Sequence, residues 1–272
     1  MTILPIAVSS LHVDRDEELR LFRSLLRGQS ARHMLLIEAG PGMGKSTLME
    51  KFYSEAAPYP RAFVDLRPQA FTPLEVLGEL ASGLETTIAD LDHTARRGIS
   101  VFPQYTEQRE RLAQPGYTDI QNAHLSNGTQ TANSGMPRAE QAALQIITDA
   151  FFNDLDAVIQ TYRRVLLIID TFEEASIDVN QWLTGLFLNR IRGRLGVMAV
   201  LAGRTMPEPW PFAINCQLRQ FDLPDVQEYL SRVELPLSPE ELRVLYALTD
   251  GIPLYVKVSV TKLLLDRARR RQ

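Results

Sequence analysis

The segment Ala39-Gly40-Pro41-Gly42-Met43-Gly44-Lys45-Ser46-Thr47 has the residue types and spacing to hold a chain of phosphates. Closely spaced glycines let the backbone turn tightly and aim successive N–H groups at anionic oxygens. Lys45 supplies a point charge for the outer phosphates, and the Ser46 hydroxyl suits a Mg²⁺ ion. The segment fits the Walker A spacing, with Ala39 in place of the first glycine. Its context agrees. The apolar run Met34-Leu35-Leu36-Ile37 comes directly before it, and a helix starting near Gly44 adds its positive N-terminal end to the site.

A loop of this kind works with a second strand that brings an acid to the metal. Val165-Leu166-Leu167-Ile168-Ile169 is aliphatic without alternation, which predicts a strand buried on both faces. It ends in Asp170, at the strand end where open parallel sheets bind ligands. Asp170 could otherwise cap a turn. The chain continues Thr171-Phe172-Glu173-Glu174. Many nucleoside triphosphatases place a glutamate directly after the aspartate; here that place holds Thr171. Glu173 and Glu174 are the available carboxylates. Either could polarise a water, or both could simply favour the start of the next helix. A third apolar run, Val197 to Ala202, leads into Gly203-Arg204, and a cation emerging there can read a terminal phosphate.

These groups need a scaffold. Apolar periodicity and capping residues predict helices over 14–27, 44–56, 72–85, 104–113, 137–162 and 179–192. Strands are expected over 33–38, 61–66, 165–169, 197–202 and 214–218. Thr72, Pro73 and Glu75 read as a capping box. After Pro224 the pattern is helical only, over 225–232, 239–248 and 254–267. The expectation is an α/β fold: a three-layer P-loop core with a five-stranded parallel sheet over 1–220, then a small helical lid over 221–272. Residues 93–137 form a polar insertion, within which Gln114 to Met136 reads as a long, mobile loop.

The net charge of −4 gives no overall pull toward nucleic acid or membrane, and leaves room for a local basic patch. Cys216 is the only cysteine, so no intrachain disulfide forms, and a reducing, cytoplasmic compartment is expected. No apolar run approaches the length of a membrane span. The histidines, His12, His33, His93 and His124, lack zinc spacing.

Taken together, the motifs resemble the STAND branch of the AAA+-like P-loop ATPases, the class with NACHT and NB-ARC modules, from about Val13 to Leu265. Asp170, Thr171, Glu173 and Glu174 are similar to the NACHT-type Walker B form, and the resemblance favours Glu174 as the more catalytic acid. Arg204 is similar to the class's sensor arginine. Gly251-Ile252-Pro253 resembles a lid motif whose proline packs near adenine. Arg15 and Glu18 match an N-terminal Gly-Arg-x-x-Glu signature in which Asp14 replaces the glycine. Arg192 and Arg194 are the available arginine-finger candidates. The basic run after Asp266 reads as a helix end or a nucleic-acid contact.

The resemblance implies ATP or ADP and Mg²⁺ as ligands, slow or regulated turnover, and a switch that controls self-association or engagement of effector or sensor domains. Two other readings stay open. One is a DNA-associated AAA+ ATPase, such as a transposition or replication loader. The other is a nucleotide-binding scaffold without turnover.

Overall fold

The apolar runs become strands β1 (Met34–Glu38), β3 (Val165–Asp170) and β4 (Val197–Gly203), flanked by β2 (Arg61–Asp65) and β5 (Ala213–Gln217). They form one sheet, parallel throughout, in the order β2-β3-β4-β1-β5. The computed structural model describes residues 15–67, 71–92, 100–114, 138–206 and 212–270. Val13, Asp14, most of the insertion at 93–137 and the expected mobile loop beyond Gln114 lie outside the described residues.

The unalternating strands are explained by two covered faces. Met34 and Leu36, Val165, Leu167 and Ile169, and Val197, Ala199 and Leu201 enter one core. Leu35 and Ile37, Leu166 and Ile168, and Met198, Val200 and Ala202 enter the other. Side chains alternate with period two, but both sides are apolar. Helices α1 (Asp16–Leu26) and α2 (Lys45–Glu55) cover the second face, where Phe22 stacks on Phe52 with ring centroids 4.1 Å apart. Helices α3 (Pro73–Leu91), α4 (Pro103–Ala113) and α5 (Arg138–Tyr162) cover the first face. They are joined there by α6 (Ile177–Trp182) and α7 (Leu188–Arg192). This is the expected three-layer α/β arrangement.

Local chemistry fixes the helix starts. Thr72 and Glu75 form the expected capping box, with the Thr72 N–H donating to the Glu75 carboxylate at 2.7 Å. Helix α3 runs on to Leu91, past the expected end at 85, because Thr87 and Ile88 are still buried. The single helix expected over 179–192 starts instead at Ile177, capped by Ser176, and contains a π turn at Leu183–Phe187. That turn shifts the helical phase, so Trp182, Leu183, Phe187, Leu188 and Ile191 all reach the core.

After β5, helices α8 (Leu223–Arg232), α9 (Pro239–Thr249) and α10 (Pro253–Arg270) enclose a third core. It contains Phe221, Val226, Tyr229, Leu245, Val256 and Val260. Capping boxes Asp222/Asp225 and Ser238/Glu241 start α8 and α9.

Candidate nucleotide site

The glycine-rich segment is a turn from β1 into α2. Ala39 donates to the Gly203 carbonyl at 3.1 Å, which ties the turn to the end of β4. Gly42 has φ 76°, and a Cβ there would meet Leu254 Cβ at 3.1 Å and Ile252 Cγ2 at 3.2 Å. Both the left-handed backbone and the close approach of the C-terminal helices require glycine at that position. The two segments are also joined directly: the Leu254 N–H donates to the Gly42 carbonyl at 3.0 Å.

Lys45 is the first residue of α2, and its ammonium donates to the Ala39 carbonyl at 2.6 Å and the Gly40 carbonyl at 3.1 Å. Desolvation lowers its pKa, opposed by the Glu173 and Asp170 carboxylates. The Ser46 hydroxyl donates to Asp170 Oδ2 at 2.8 Å. The other carboxylate oxygen, Oδ1, accepts from the Thr171 N–H at 2.8 Å. Burial raises the Asp170 pKa, and the Ser46 and Thr171 hydrogen bonds work against that shift.

Thr171 adopts a left-handed conformation, φ 62°, and its hydroxyl donates to Asp65 Oδ1 at 3.1 Å. This sharp turn starts a short 3₁₀ segment, Phe172–Glu174, that buries Phe172. It also separates the two acids. Glu173 lies on the wall of the cleft, while Glu174 is exposed and does not line it. Glu173 accepts from the Arg204 backbone N–H at 2.8 Å and from Arg204 Nε at 3.0 Å. The sequence-expected acid and sensor cation are therefore partners of each other in this structure.

The cleft has a volume of ≈ 400 Å³. The expected Pro41, Gly42, Met43, Gly44, Lys45, Ser46 and Thr47 line it, together with Asp170, Glu173 and Arg204. Gly40 is part of the same turn and accepts from Lys45, but it does not line the cleft. Arg15 and Pro253 line it too, with Phe221 and Tyr229. Arg15 is buried and donates to the Met43 carbonyl at 3.0 Å and the Arg219 carbonyl at 3.1 Å, so it links the turn to the C-terminal helices. Arg192 and Arg194 sit elsewhere: Arg192 lies over the Phe212 ring and Arg194 pairs with Asp156.

Sequence reasoning missed Arg67 and Lys257, which also line the cleft. Arg67 follows the end of β2 and pairs with Asp65 at 2.6 Å. Burial works against the Asp65 carboxylate, but the bonds from Arg67 and Thr171 outweigh it and hold its pKa low. Arg67 becomes visible only once β2 is known to lie beside β3. Lys257 follows Pro253 by one helical turn, a spacing that could have flagged it.

The residues present fit a magnesium nucleotide. Ser46 and Asp170 place a hydroxyl and a carboxylate oxygen together at the mouth of the turn. Two protein oxygens leave the rest of a six-oxygen shell to phosphates and water, which is how Mg²⁺ is commonly held.

No protein-family model matches the chain, and no curated protein does either. Solved structures are similar in fold. The Walker-type ATPase PABY2304 of Pyrococcus abyssi aligns over 100% of this chain and 79% of its own, at 16% identity and TM-score 0.52. The Aeropyrum pernix Orc1 protein, solved in complex with DNA, aligns over 99% of this chain and 64% of its own, at 15% identity and TM-score 0.50. A Pyrococcus horikoshii STAND protein with a tetratricopeptide repeat sensor, PH0952, is 17% identical over 93% of this chain. Its TM-score is 0.49. The chain spans 31% of PH0952 and 64% of Orc1, less than two thirds of either. At such identities the likeness shows the fold alone, a parallel α/β core of the kind found in the Walker-type ATPase.

Proposed function

We propose that this chain binds and hydrolyses ATP with Mg²⁺ as a nucleotide-controlled switch of the STAND type. The observation that carries the reading is one cleft lined by the phosphate-type turn, the Ser46–Asp170 pair, the Glu173–Arg204 pair and the C-terminal helices. In this reading residues 1–220 are the catalytic core, 221–272 are a lid, and the protein works in the cytoplasm. The turn's N–H groups and Lys45 hold the phosphates, and Pro253 with Arg15 borders the nucleoside. Mg²⁺, when bound, supplies charge neutralisation at the phosphates. Ser46 and Asp170 are the residues that would hold it.

Glu173 accepts a proton from water as the water oxygen bonds to the γ-phosphorus. The bond to the β–γ bridging oxygen breaks, and ADP leaves with that electron pair. Arg204 is the hinge of the scheme. Bound to Glu173 it occupies the acid; drawn to a γ-phosphate it releases the carboxylate for water. The lid bonds the turn through Leu254 and Gly42, so a change in the turn reaches the lid and any partner on it.

The test is phosphate release with and without Mg²⁺, alongside nucleotide affinity. Lys45→Ala should abolish or strongly weaken ATP binding in a folded protein. Asp170→Asn should keep binding ATP but lose the Mg²⁺-dependent part. Unchanged affinity in folded Lys45→Ala would remove the reading. Binding without any turnover would reduce it to a scaffold.

A further inference from the structure

All five strands begin on one edge of the sheet, opposite the cleft, and arginines crowd their starts. Arg32 precedes β1, Arg61 opens β2, Arg163 and Arg164 precede β3, and Arg192 and Arg194 precede β4. Arg27 ends α1 on the same edge.

Contacts join these residues into one band. Arg164 donates to the Leu25 carbonyl at 3.0 Å and packs over Gly28, next to Arg27. The Leu166 N–H donates to the Pro60 carbonyl at 2.9 Å, which places Arg61 beside the start of β3. The Val165 N–H donates to the Gly196 carbonyl at 2.9 Å, which brings Arg163 and Arg164 up to Arg194. Arg32 donates to the Ala213 carbonyl at 3.1 Å, and Arg192 lies 5.1 Å from the centre of the Phe212 ring. Arg32 and Arg192 therefore both lie at the start of β5. Five strands at roughly 4.8 Å spacing make the band about 20 Å wide.

Carboxylates neutralise little of it. Asp156 holds Arg194 and Asp149 holds Arg190. Among the described residues Arg27, Arg32, Arg61, Arg163, Arg164 and Arg192 have no carboxylate partner; the side chains of Arg32, Arg61, Arg164 and Arg192 lie on backbone carbonyls or rings, and Arg27 and Arg163 are exposed. The whole chain carries −4, so this edge stands against an otherwise acidic surface.

From this geometry we infer that the edge docks the phosphodiester backbone of a double-stranded nucleic acid, without reading its sequence. Guanidinium groups match phosphate oxygens two bonds at a time. Duplex DNA presents about one charge per 1.7 Å of axis, so a band of this width meets several phosphates. Among the described residues, two rings at this edge, Tyr53 and Phe212, are covered by a guanidinium, Arg61 at 4.6 Å and Arg192 at 5.1 Å, while Tyr59 and Tyr162 beside the starts of β2 and β3 are half-buried. The edge thus offers cations to a backbone rather than faces to unstacked bases. The inference goes beyond the switch reading and stands independently of it.

The test is fluorescence anisotropy of a labelled 20-base-pair DNA duplex with the full chain between 50 and 200 mM salt. The plot of log affinity against log salt should have a slope of about −4.5 to −5.4 for five or six phosphates. The triple variant Arg32→Gln, Arg163→Gln, Arg192→Gln changes three exposed side chains. It should bind at least tenfold more weakly, with a slope smaller by about 3, while ATP affinity stays as in the parent. Should it fail to fold, Arg192→Gln alone should lower the slope by about 0.9. Arg20→Gln, an exposed arginine on α1, should leave the binding unchanged. Four results would overturn the inference: no binding at 50 mM salt, equal binding by the folded triple variant, equal affinity for a single strand, or tighter binding of poly-glutamate, which would mark an acidic protein partner.

Discussion

Glu173 lies on the cleft wall, bonded to Arg204, and Glu174 faces solvent one residue on. Resemblance favours Glu174 as the base, and position favours Glu173. We expect Glu173→Gln to slow single-turnover hydrolysis by about 10²–10⁴-fold while ATP affinity is kept, and Glu174→Gln to change little. The reverse result would move the base to Glu174 and require the 3₁₀ segment to turn in. The two acids could not be told apart in the sequence because their directions depend on one left-handed residue, Thr171. A threonine gives no warning of φ 62° in the way a glycine would. Cys216 offers a probe of β5, the outer strand at the other side of the sheet. Burial pushes its thiol up to about 11 from 9.0, which leaves roughly a hundredfold less thiolate near neutral pH. A thiol reagent at pH 8 should therefore react slowly with the native chain and rapidly once denaturant unfolds it. Fast native labelling would mean that β5 opens readily.

At the scale of elements, the strands and most caps were legible because their signals are local. An aliphatic run without alternation needs two covered faces, and Thr72 with Glu75 closes a box within one turn. Replacing Thr72 by Ala should cost about 1 kcal/mol of stability, read from denaturant midpoints at constant slope. The π turn in the helix before β4 was not legible, because it answers to packing against residues far away in sequence. The lid turn is a stricter case. Gly251 has φ 64°, and a Cβ there would fall 2.1 Å from the Phe221 carbonyl oxygen, while the Phe221 N–H donates to the Gly251 carbonyl at 2.8 Å. Gly251→Ala should destabilise the lid by roughly 1–3 kcal/mol. Weaker ATP binding with an intact far-ultraviolet spectrum is the expected sign. Unchanged ATP affinity would mean that lid docking does not depend on this turn.

For the whole molecule, the sequence showed the nucleotide machinery because each part is a compact motif. It hid the arginine band because those residues are scattered from 27 to 194, and only the strand order gathers them. A net charge of −4 says nothing about that arrangement. Global stability gives a further check on the cleft. Mg²⁺–ATP at a hundred times its dissociation constant should stabilise the native state by about 2.7 kcal/mol and raise the melting temperature. Lys45→Ala should show neither effect. A full shift in that variant would place the ligand elsewhere. The link between turn and lid has a different implication for how this protein can change over generations. The Leu254–Gly42 bond runs between two main chains, so side-chain drift at position 254 leaves its donor and acceptor in place. Alanine scanning would pass over it. Semisynthesis can reach it: an ester in place of the 253–254 peptide deletes the N–H and keeps the leucine. A chain so altered should bind ATP in the core yet lose the signal at the lid, separating occupancy from message.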